Sequence, residues 1–128
     1  MINPYVKYLT TNKVDGVYVI GTTGEGYSLT NDERIQIMKK WREEIKQQKS
    51  DMMMVVNITS TCTKEMIELA KECEKYEVDA IAVLPPAYYK LQTIKGMVDY
   101  LKLIGNAASN TPLLYYHIPL FNGELPCK

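Results

Sequence analysis

Short apolar runs alternate along the chain with longer segments in which apolar residues recur every three or four positions. The short runs are rich in β-branched and aromatic residues and end at turn-forming residues, which is typical of buried strands in a parallel sheet. They lie at about residues 17–20, 53–57, 80–84 and 113–116. The pattern therefore predicts four strands with a helix in each interval between them.

The intervals between the strands have the periodicity of amphipathic helices. Thr30 and Glu33 stand at the spacing of a capping box, and Thr63 is predicted to cap the second of these helices. The third is predicted from about Thr93 to Ala107, and a further helix is expected ahead of the first strand. The apolar residues on which these predictions rest are Tyr5, Val6 and Leu9; Ile35, Met38, Trp41 and Ile45; Met66, Ile67, Ala70 and Cys73; and Ile94, Met97, Val98, Leu101 and Ile104, the last five predicted to point inward.

Strand and helix alternate at roughly thirty-residue intervals, the length of a βαβ unit with parallel strands. Two α/β architectures share this pattern: the doubly wound sheet and the β/α barrel, which takes eight units and about 250 residues. Periodicity alone leaves both open. A chain of 128 residues without an internal linker is expected to form a single domain over residues 1–128.

Composition and charge narrow the classes of function. Hydrophobic residues make up 46% and charged residues 23%, which favours a globular chain. Fifteen basic residues balance fifteen acidic ones, so we expect no nucleic-acid partner. The first residues lack the pattern of a signal peptide, and no apolar run approaches the ~20 residues of a membrane span. These features predict a cytoplasmic protein without a membrane partner.

The metal-binding residue types are few and scattered. Cys62, Cys73 and Cys127 lack C-x-x-C spacing, and His117 is the single histidine. Free thiols are therefore expected rather than disulfides or a zinc site. The sequence predicts neither a metal nor another cofactor.

The loop after the first predicted strand is the richest candidate site. It reads Gly-Thr-Thr-Gly-Glu-Gly over residues 21–26, which places the hydroxyls of Thr22 and Thr23 among unhindered backbone amides. Such a turn can hold a carboxylate without a fixed positive charge. It lacks the lysine of a phosphate-binding P-loop and the spacing G-x-G-x-x-G. The alternative is a tight turn in which the threonine side chains cap backbone groups.

The end of the fourth predicted strand carries a second candidate, Tyr116, whose phenol could move a proton if a neighbouring group tuned it. The alternative is a packed tyrosine with a satisfied hydroxyl, since the chain has ten tyrosines. His117 is expected to be a hydrogen-bonded loop residue. Tyr88 and Tyr89 are expected to form a contact surface.

Three landmarks occur in order along nearly the whole chain. They are Gly21-Thr22-Thr23-Gly24-Glu25 with the following helix start, Asp79 to Val83 with Pro85-Pro86-Ala87-Tyr88-Tyr89, and Tyr115-Tyr116-His117-Ile118-Pro119. Together they resemble the superfamily of N-acetylneuraminate lyase and dihydrodipicolinate synthase, the Schiff-base aldolases built on a (β/α)8 TIM barrel. The resemblance implies a partial barrel that comprises about strands 2 to 5.

The residues after Pro119 favour the sialic acid lyase branch, because Leu-Phe-Asn-Gly stands where the synthase branch typically has Pro-Gly-Arg-Thr. By resemblance, Thr22 and Thr23 bind the carboxylate of the pyruvate portion and Tyr116 relays the proton. The implied reaction cleaves N-acetylneuraminate to N-acetylmannosamine and pyruvate. Full-length members of the family are expected to be homo-tetramers.

The chain also departs from the family pattern. The imine-forming lysine belongs on the strand after the one with Tyr116, well beyond the twelve residues that follow it here, so Lys128 is not that lysine. The expectation is a truncated member that is inactive by itself. Two alternatives stay open: a non-catalytic fragment that binds full-length lyase or small carboxylates, and another pyruvate-dependent aldolase such as dihydrodipicolinate synthase.

Overall fold

The computed structural model describes residues 1–123, so the predictions for Cys127 and Lys128 lie outside the described residues. Helices and strands alternate along the chain as the hydrophobic pattern predicts. In chain order they are α1 (Ile2–Thr11), β1 (Gly16–Val19), α2 (Asn31–Gln47), β2 (Met53–Asn57), α3 (Thr63–Lys75), β3 (Ala80–Val83), α4 (Ile94–Gly105), β4 (Leu113–Tyr115) and the short α5 (Pro119–Asn122). Single turns of 3-10 helix occur at Gly26–Ser28 and Asn106–Ala108.

The four strands form one sheet in the order β1-β2-β3-β4, and each neighbouring pair is parallel. This confirms the predicted α/β fold class. Each predicted strand lies within one residue of the observed one. The strand β1 ends at Val19 because Ile20 has a positive φ of 63°, which no extended strand can contain.

The two faces of the sheet have different surroundings. On the first, which we call the covered face, Val19, Met54, Val56, Ile81 and Val83 are at most 5% exposed and pack into one core with residues of the helices. On the second, the open face, the large side chains of Tyr18, Met53 and Leu114 are 45% to 57% exposed. Since successive residues of a strand point to opposite faces, each strand contributes to both.

The helix α2 begins as the sequence predicts. The hydroxyl of Thr30 accepts a hydrogen bond from the backbone N–H of Glu33, and the Glu33 carboxylate accepts one from the Thr30 N–H at 2.8 Å. Met38, Trp41 and Ile45 are buried. The prediction that Thr63 caps α3 is wrong, because Cys62 occupies the N-cap and makes no side-chain capping bond.

The helix α4 is less buried than predicted. Ile104 is fully buried, whereas Ile94 is 53% and Val98 39% exposed. In the described chain α4 packs beside α3 and the 3-10 turn Asn106–Ala108, and its residues that pack with the core, Tyr100, Leu101 and Ile104, lie in its C-terminal half. The amphipathic pattern thus predicts the helix correctly, but two of the residues predicted to point inward in its N-terminal half are exposed.

The first three helices end in the same geometry. Lys13, Lys49 and Glu77 have a left-handed backbone two residues beyond the helix ends, and the next residue returns a hydrogen bond of 3.1 Å into the last turn of the helix. This is the Schellman arrangement, which satisfies carbonyls at the end of a helix. It reverses the chain so that at most five residues separate each of these helices from the next strand. No helix among residues 1–123 is long and apolar enough to cross a bilayer.

Candidate active site

A cavity of about 680 Å³ lies on the open face, at the edge of the sheet where the parallel strands end. It brings together Thr22 and Thr23, which follow β1, and Tyr116, which follows β4. All three candidate residues from the sequence therefore line one cavity, although their chemical roles stay predictions. The lining consists of Tyr18, Gly21, Thr22, Thr23, Gly24, Ala82, Leu114, Tyr115 and Tyr116.

The turn after β1 starts with a strained backbone. Ile20 adopts the left-handed region, which costs an L-residue roughly 1–2 kcal/mol and is rare for β-branched side chains. The chain then closes on itself through hydrogen bonds from Glu25 N–H to the Thr22 carbonyl and from Gly26 N–H to the Gly21 carbonyl. Thr22 and Thr23 are thus presented on a compact turn rather than on a loose loop.

Two glycines of the turn are required by close approach. A Cβ on Gly21 would lie 2.7 Å from the Tyr18 ring, and a Cβ on Gly26 would lie 2.2 Å from the Ile20 carbonyl oxygen. The first glycine allows the Tyr18 ring to pack on the turn. The second allows the end of the turn to pack directly over Ile20.

The hydroxyls of Thr22 and Thr23 make no hydrogen bond with any residue in the described part of the chain, and both residues are exposed. The alternative in which these side chains cap backbone groups is therefore not what the turn contains. Both hydroxyls are available to a ligand. The lining residues are all uncharged, so hydroxyls and backbone amides are the donors that the cavity offers to an anion.

Tyr116 lies on the same side of the sheet as Tyr18. Its backbone N–H donates to the Val83 carbonyl at 2.9 Å, which extends the β3–β4 ladder by one residue and fixes its position. Its ring meets that of Tyr18 edge to face, with the ring centroids 5.9 Å apart. In a flat sheet β1 and β4 would be about 14 Å apart, from three spacings of about 4.8 Å. The contact therefore requires a sheet that curves toward its open face.

Tyr18 is the site residue that the sequence reasoning missed. Burial, followed by the neighbouring phenols of Tyr116 and Tyr27, raises the pKa of Tyr18 to about 12. The strand period was the available signal, because Tyr18 lies one residue from the buried Val19 and so must face the opposite side. What the sequence did not reveal is that this side lines a cavity.

Of the other aromatic and histidine residues considered from the sequence, Tyr115 lines this cavity, whereas His117, Tyr88 and Tyr89 do not. The Tyr115 hydroxyl lies 2.9 Å from Nδ1 of His117, so the histidine is a hydrogen-bonded loop residue as expected. Tyr88 and Tyr89 pack edge to face on the loop after β3, are more than 80% exposed, and do not line the cavity. Their role as a contact surface stays a prediction.

Comparisons with known proteins confirm the family that the sequence resembles. The profile of the Dihydrodipicolinate synthetase family matches residues 1–126. The N-acetylneuraminate lyase of Rattus norvegicus is 35% identical over 125 residues, which cover 96% of this chain and 38% of that protein. The chain thus spans about two fifths of the length of the curated relatives it matches.

Solved structures resemble the fold closely. The native N-acetylneuraminate lyase of Aliivibrio salmonicida is 26% identical with a TM-score of 0.89, over 97% of this chain and 40% of that one. DHDPS from Cyanidioschyzon merolae with lysine bound is 26% identical with a TM-score of 0.86, over 98% and 41%. The partial-barrel prediction is confirmed by these neighbours, since the sheet and helices match about two fifths of each.

Proposed function

The chain belongs to the dihydrodipicolinate synthetase family, and we propose that its turn after β1 and its tyrosine after β4 are part of a Schiff-base aldolase site that cleaves N-acetylneuraminate. The products would be N-acetylmannosamine and pyruvate. The single observation that carries the proposal is the cavity shared by Thr22, Thr23 and Tyr116. The similarity to proteins named N-acetylneuraminate lyase supports the choice of substrate.

In this proposal Thr22 and Thr23 bind the carboxylate of the pyruvate portion. Their exposed hydroxyls have no partner among the described residues, and Gly21 and Gly24 of the same turn also line the cavity. Hydrogen bonds to an ionised acceptor contribute about 1.5–3 kcal/mol each. Two such hydroxyls can therefore hold a carboxylate in a cavity without a lysine or an arginine in its lining.

Tyr116 relays the proton that moves when the carbon-carbon bond breaks. A phenol is both a donor and an acceptor, and the ring contact with Tyr18 places a second phenol beside it. Because the pKa of Tyr18 is about 12, that neighbour stays protonated at neutral pH. The protonated phenol of Tyr18 is then available as a donor to a ligand in the cavity.

Cleavage also needs an electron sink for the carbanion that develops on the pyruvate fragment. The family forms this sink as a protonated lysine imine, on a strand that follows the one with Tyr116. Positioning and proton transfer lower a barrier but do not replace the sink. We therefore propose that residues 1–128 by themselves bind the carboxylate without turnover, and that a longer protein with these residues and the lysine is active.

Pyruvate binding to the 128-residue chain tests the carboxylate site. Titration followed by NMR is expected to move the amide signals of the turn, and Thr22→Val or Thr23→Val is expected to weaken binding about tenfold, the equivalent of one charge-assisted hydrogen bond. Thr61→Val is the matched control, because Thr61 is exposed in the loop after β2 and does not line the cavity. Equal affinity in all three variants would contradict the assignment.

Assays of turnover and of imine trapping test whether residues 1–128 lack the electron sink. The purified chain is expected to release no pyruvate from N-acetylneuraminate, and borohydride with pyruvate is expected to leave its lysines unmodified by mass spectrometry. A full-length relative serves as the positive control. Turnover by the chain that disappears in Tyr116→Phe would refute the proposal, because another lysine such as Lys90 or Lys128 would then form the imine.

The structural similarity to DHDPS favours one alternative substrate class, that of another pyruvate-dependent aldolase. Competition between N-acetylneuraminate and pyruvate distinguishes the lyase from this alternative. N-acetylneuraminate that displaces pyruvate from the turn supports the lyase, whereas pyruvate binding without such competition supports the alternative. A chain that binds both ligands and stabilises full-length lyase in a mixture would instead be a non-catalytic barrel fragment. The homo-tetramer expected of full-length members stays a prediction.

A further inference from the structure

The backbone of Ile20 decides where the Thr22–Thr23 turn points. Of the five non-glycine residues with positive φ in the described chain, four are exposed Lys or Glu residues, whereas Ile20 is only 3% exposed and β-branched. An isolated residue of this type strongly prefers an extended or helical backbone. Because Ile20 directly precedes Gly21, an extended Ile20 would send the turn in another direction. The surrounding structure must therefore hold it.

The side chain of Asn57 makes a direct contact with this strained residue. Asn57 ends β2, beside β1, and its Nδ2 donates a hydrogen bond of 3.0 Å to the Ile20 carbonyl oxygen. Asn57 is 3% exposed, so the bond is shielded from water. The left-handed conformation of Ile20 presents its carbonyl to this amide.

The Asn57 amide is itself held from two directions. Its Oδ1 accepts hydrogen bonds from the N–H and the hydroxyl of Thr59, at 3.2 Å and 2.7 Å. The same hydroxyl accepts from the Leu84 N–H at 2.9 Å, and the Asn57 carbonyl accepts from the buried Arg34 guanidinium at 2.9 Å. With Oδ1 occupied by donors, Nδ2 must face Ile20. A buried series of hydrogen bonds thus runs from the end of β3 to the end of β1.

We infer that Asn57 is a positioning residue that keeps the Thr22–Thr23 turn in its carboxylate-binding conformation by fixing Ile20 in the left-handed region. The inference rests on the proposed function of the two threonines. Asn57 does not line the cavity and acts through the backbone of Ile20. Thr59 orients Asn57 and contributes indirectly.

The first measurement is spectroscopic and independent of any ligand. A residue with positive φ has its amide and α protons unusually close, which gives a strong intraresidue cross-peak in an NMR NOE spectrum. The Ile20 peak is expected to be strong in the unsubstituted chain and weak in Asn57→Ala. A strong peak in both proteins overturns the inference, because Ile20 would then keep its conformation without Asn57.

The second measurement is the affinity for pyruvate. Asn57→Ala is expected to bind pyruvate about fivefold more weakly, the equivalent of one neutral hydrogen bond. Ile104→Val is the matched control, because it removes one methylene from a fully buried side chain of α4 and lowers stability far from the turn. Equal weakening in the control would mean that loss of stability alone explains the effect, and would overturn the positioning role.

A second variant keeps the inference testable if Asn57→Ala does not fold. Thr59→Val conserves shape but removes the hydroxyl that orients Asn57, so a partial weakening of the Ile20 peak and about a twofold loss of pyruvate affinity are expected. An unchanged peak overturns the inference. If the unsubstituted chain fails to bind pyruvate, the proposed function fails, while the Ile20 peak still decides whether Asn57 fixes the turn.

Discussion

The covered and open faces of the sheet are built from alternate residues of the same four strands, yet they have opposite properties. Ile81 and Val56 on the covered face are fully buried beneath the helices, whereas Tyr18 and Leu114 on the open face are almost half exposed. The helices supply the neighbours of the first face, and the turn after β1 supplies part of the second. Stability is therefore expected to depend on the covered face and ligand binding on the open one.

The largest expected effect concerns two thiols at α3, of which only one lies in the core over the covered face. Cys73 is a buried residue of α3, and burial raises the pKa of its thiol to about 12, while Cys62 is exposed at the N-cap of the helix. Compared with an ordinary pKa of 9, the thiolate fraction of Cys73 at neutral pH is lower by about a thousandfold. Alkylation mapped by peptide mass spectrometry is expected to modify Cys62 first. Equal alkylation rates at the two cysteines would mean that the core over the covered face opens freely to solvent.

Two truncations on the neighbouring strands β3 and β4 compare how much each face of the sheet contributes to the free energy of unfolding. Ile81→Ala on the covered face is expected to lower the free energy of unfolding by about 2–5 kcal/mol, because it leaves a cavity beneath the helices. Leu114→Ala is the control on the open face, where Leu114 is 47% exposed and the expected loss is below about 1 kcal/mol. Urea unfolding measures both. Similar losses would contradict the separation between the faces.

Alkaline pH is expected to destabilise the chain through the open face. The pKa of Tyr18 is about 12 in the folded chain, mainly through burial, and about 10 in the unfolded chain. The stabilisation that this proton provides is fully present below pH 10 and is lost as the pH rises from 10 to 12. In Tyr18→Phe the same rise in pH should cost less stability by urea unfolding. An identical slope in both proteins would contradict the burial of the phenol.

The smallest expected effect is electrostatic coupling between the two site tyrosines. Tyr116 contributes to the raised pKa of Tyr18 after burial itself, so Tyr116→Phe should lower the Tyr18 pKa slightly. Titration of the tyrosine ring signals by NMR measures the shift. Tyr8→Phe, an exposed residue of α1, is the control and should leave the Tyr18 pKa unchanged. An unchanged Tyr18 pKa on loss of Tyr116 would mean that the two phenols are not electrostatically coupled.

The predictions from sequence succeeded where interactions are local. The capping box of Thr30 and Glu33 involves residues three apart. Each of the four strands corresponds to a short apolar run that can be recognised within its own segment of the sequence. One local prediction, the Thr63 cap, was wrong because the helix begins one residue earlier than a Thr63 cap requires. The other failures occur where the result depends on a distant neighbour. Ile94 and Val98 have the correct helical spacing but are exposed, because burial requires another element to pack against them.

The sequence by itself determined the order of strands and helices, the parallel α/β class and the candidate residues Thr22, Thr23 and Tyr116, because each follows from local periodicity or from landmarks read in order along the chain. Only the tertiary structure decided that Tyr18 meets Tyr116 and that Asn57 contacts Ile20. These pairs lie 98 and 37 residues apart. The physical reason is that sheet curvature and strand register bring them together, and both are set by the packing of the whole sheet rather than by any segment of it.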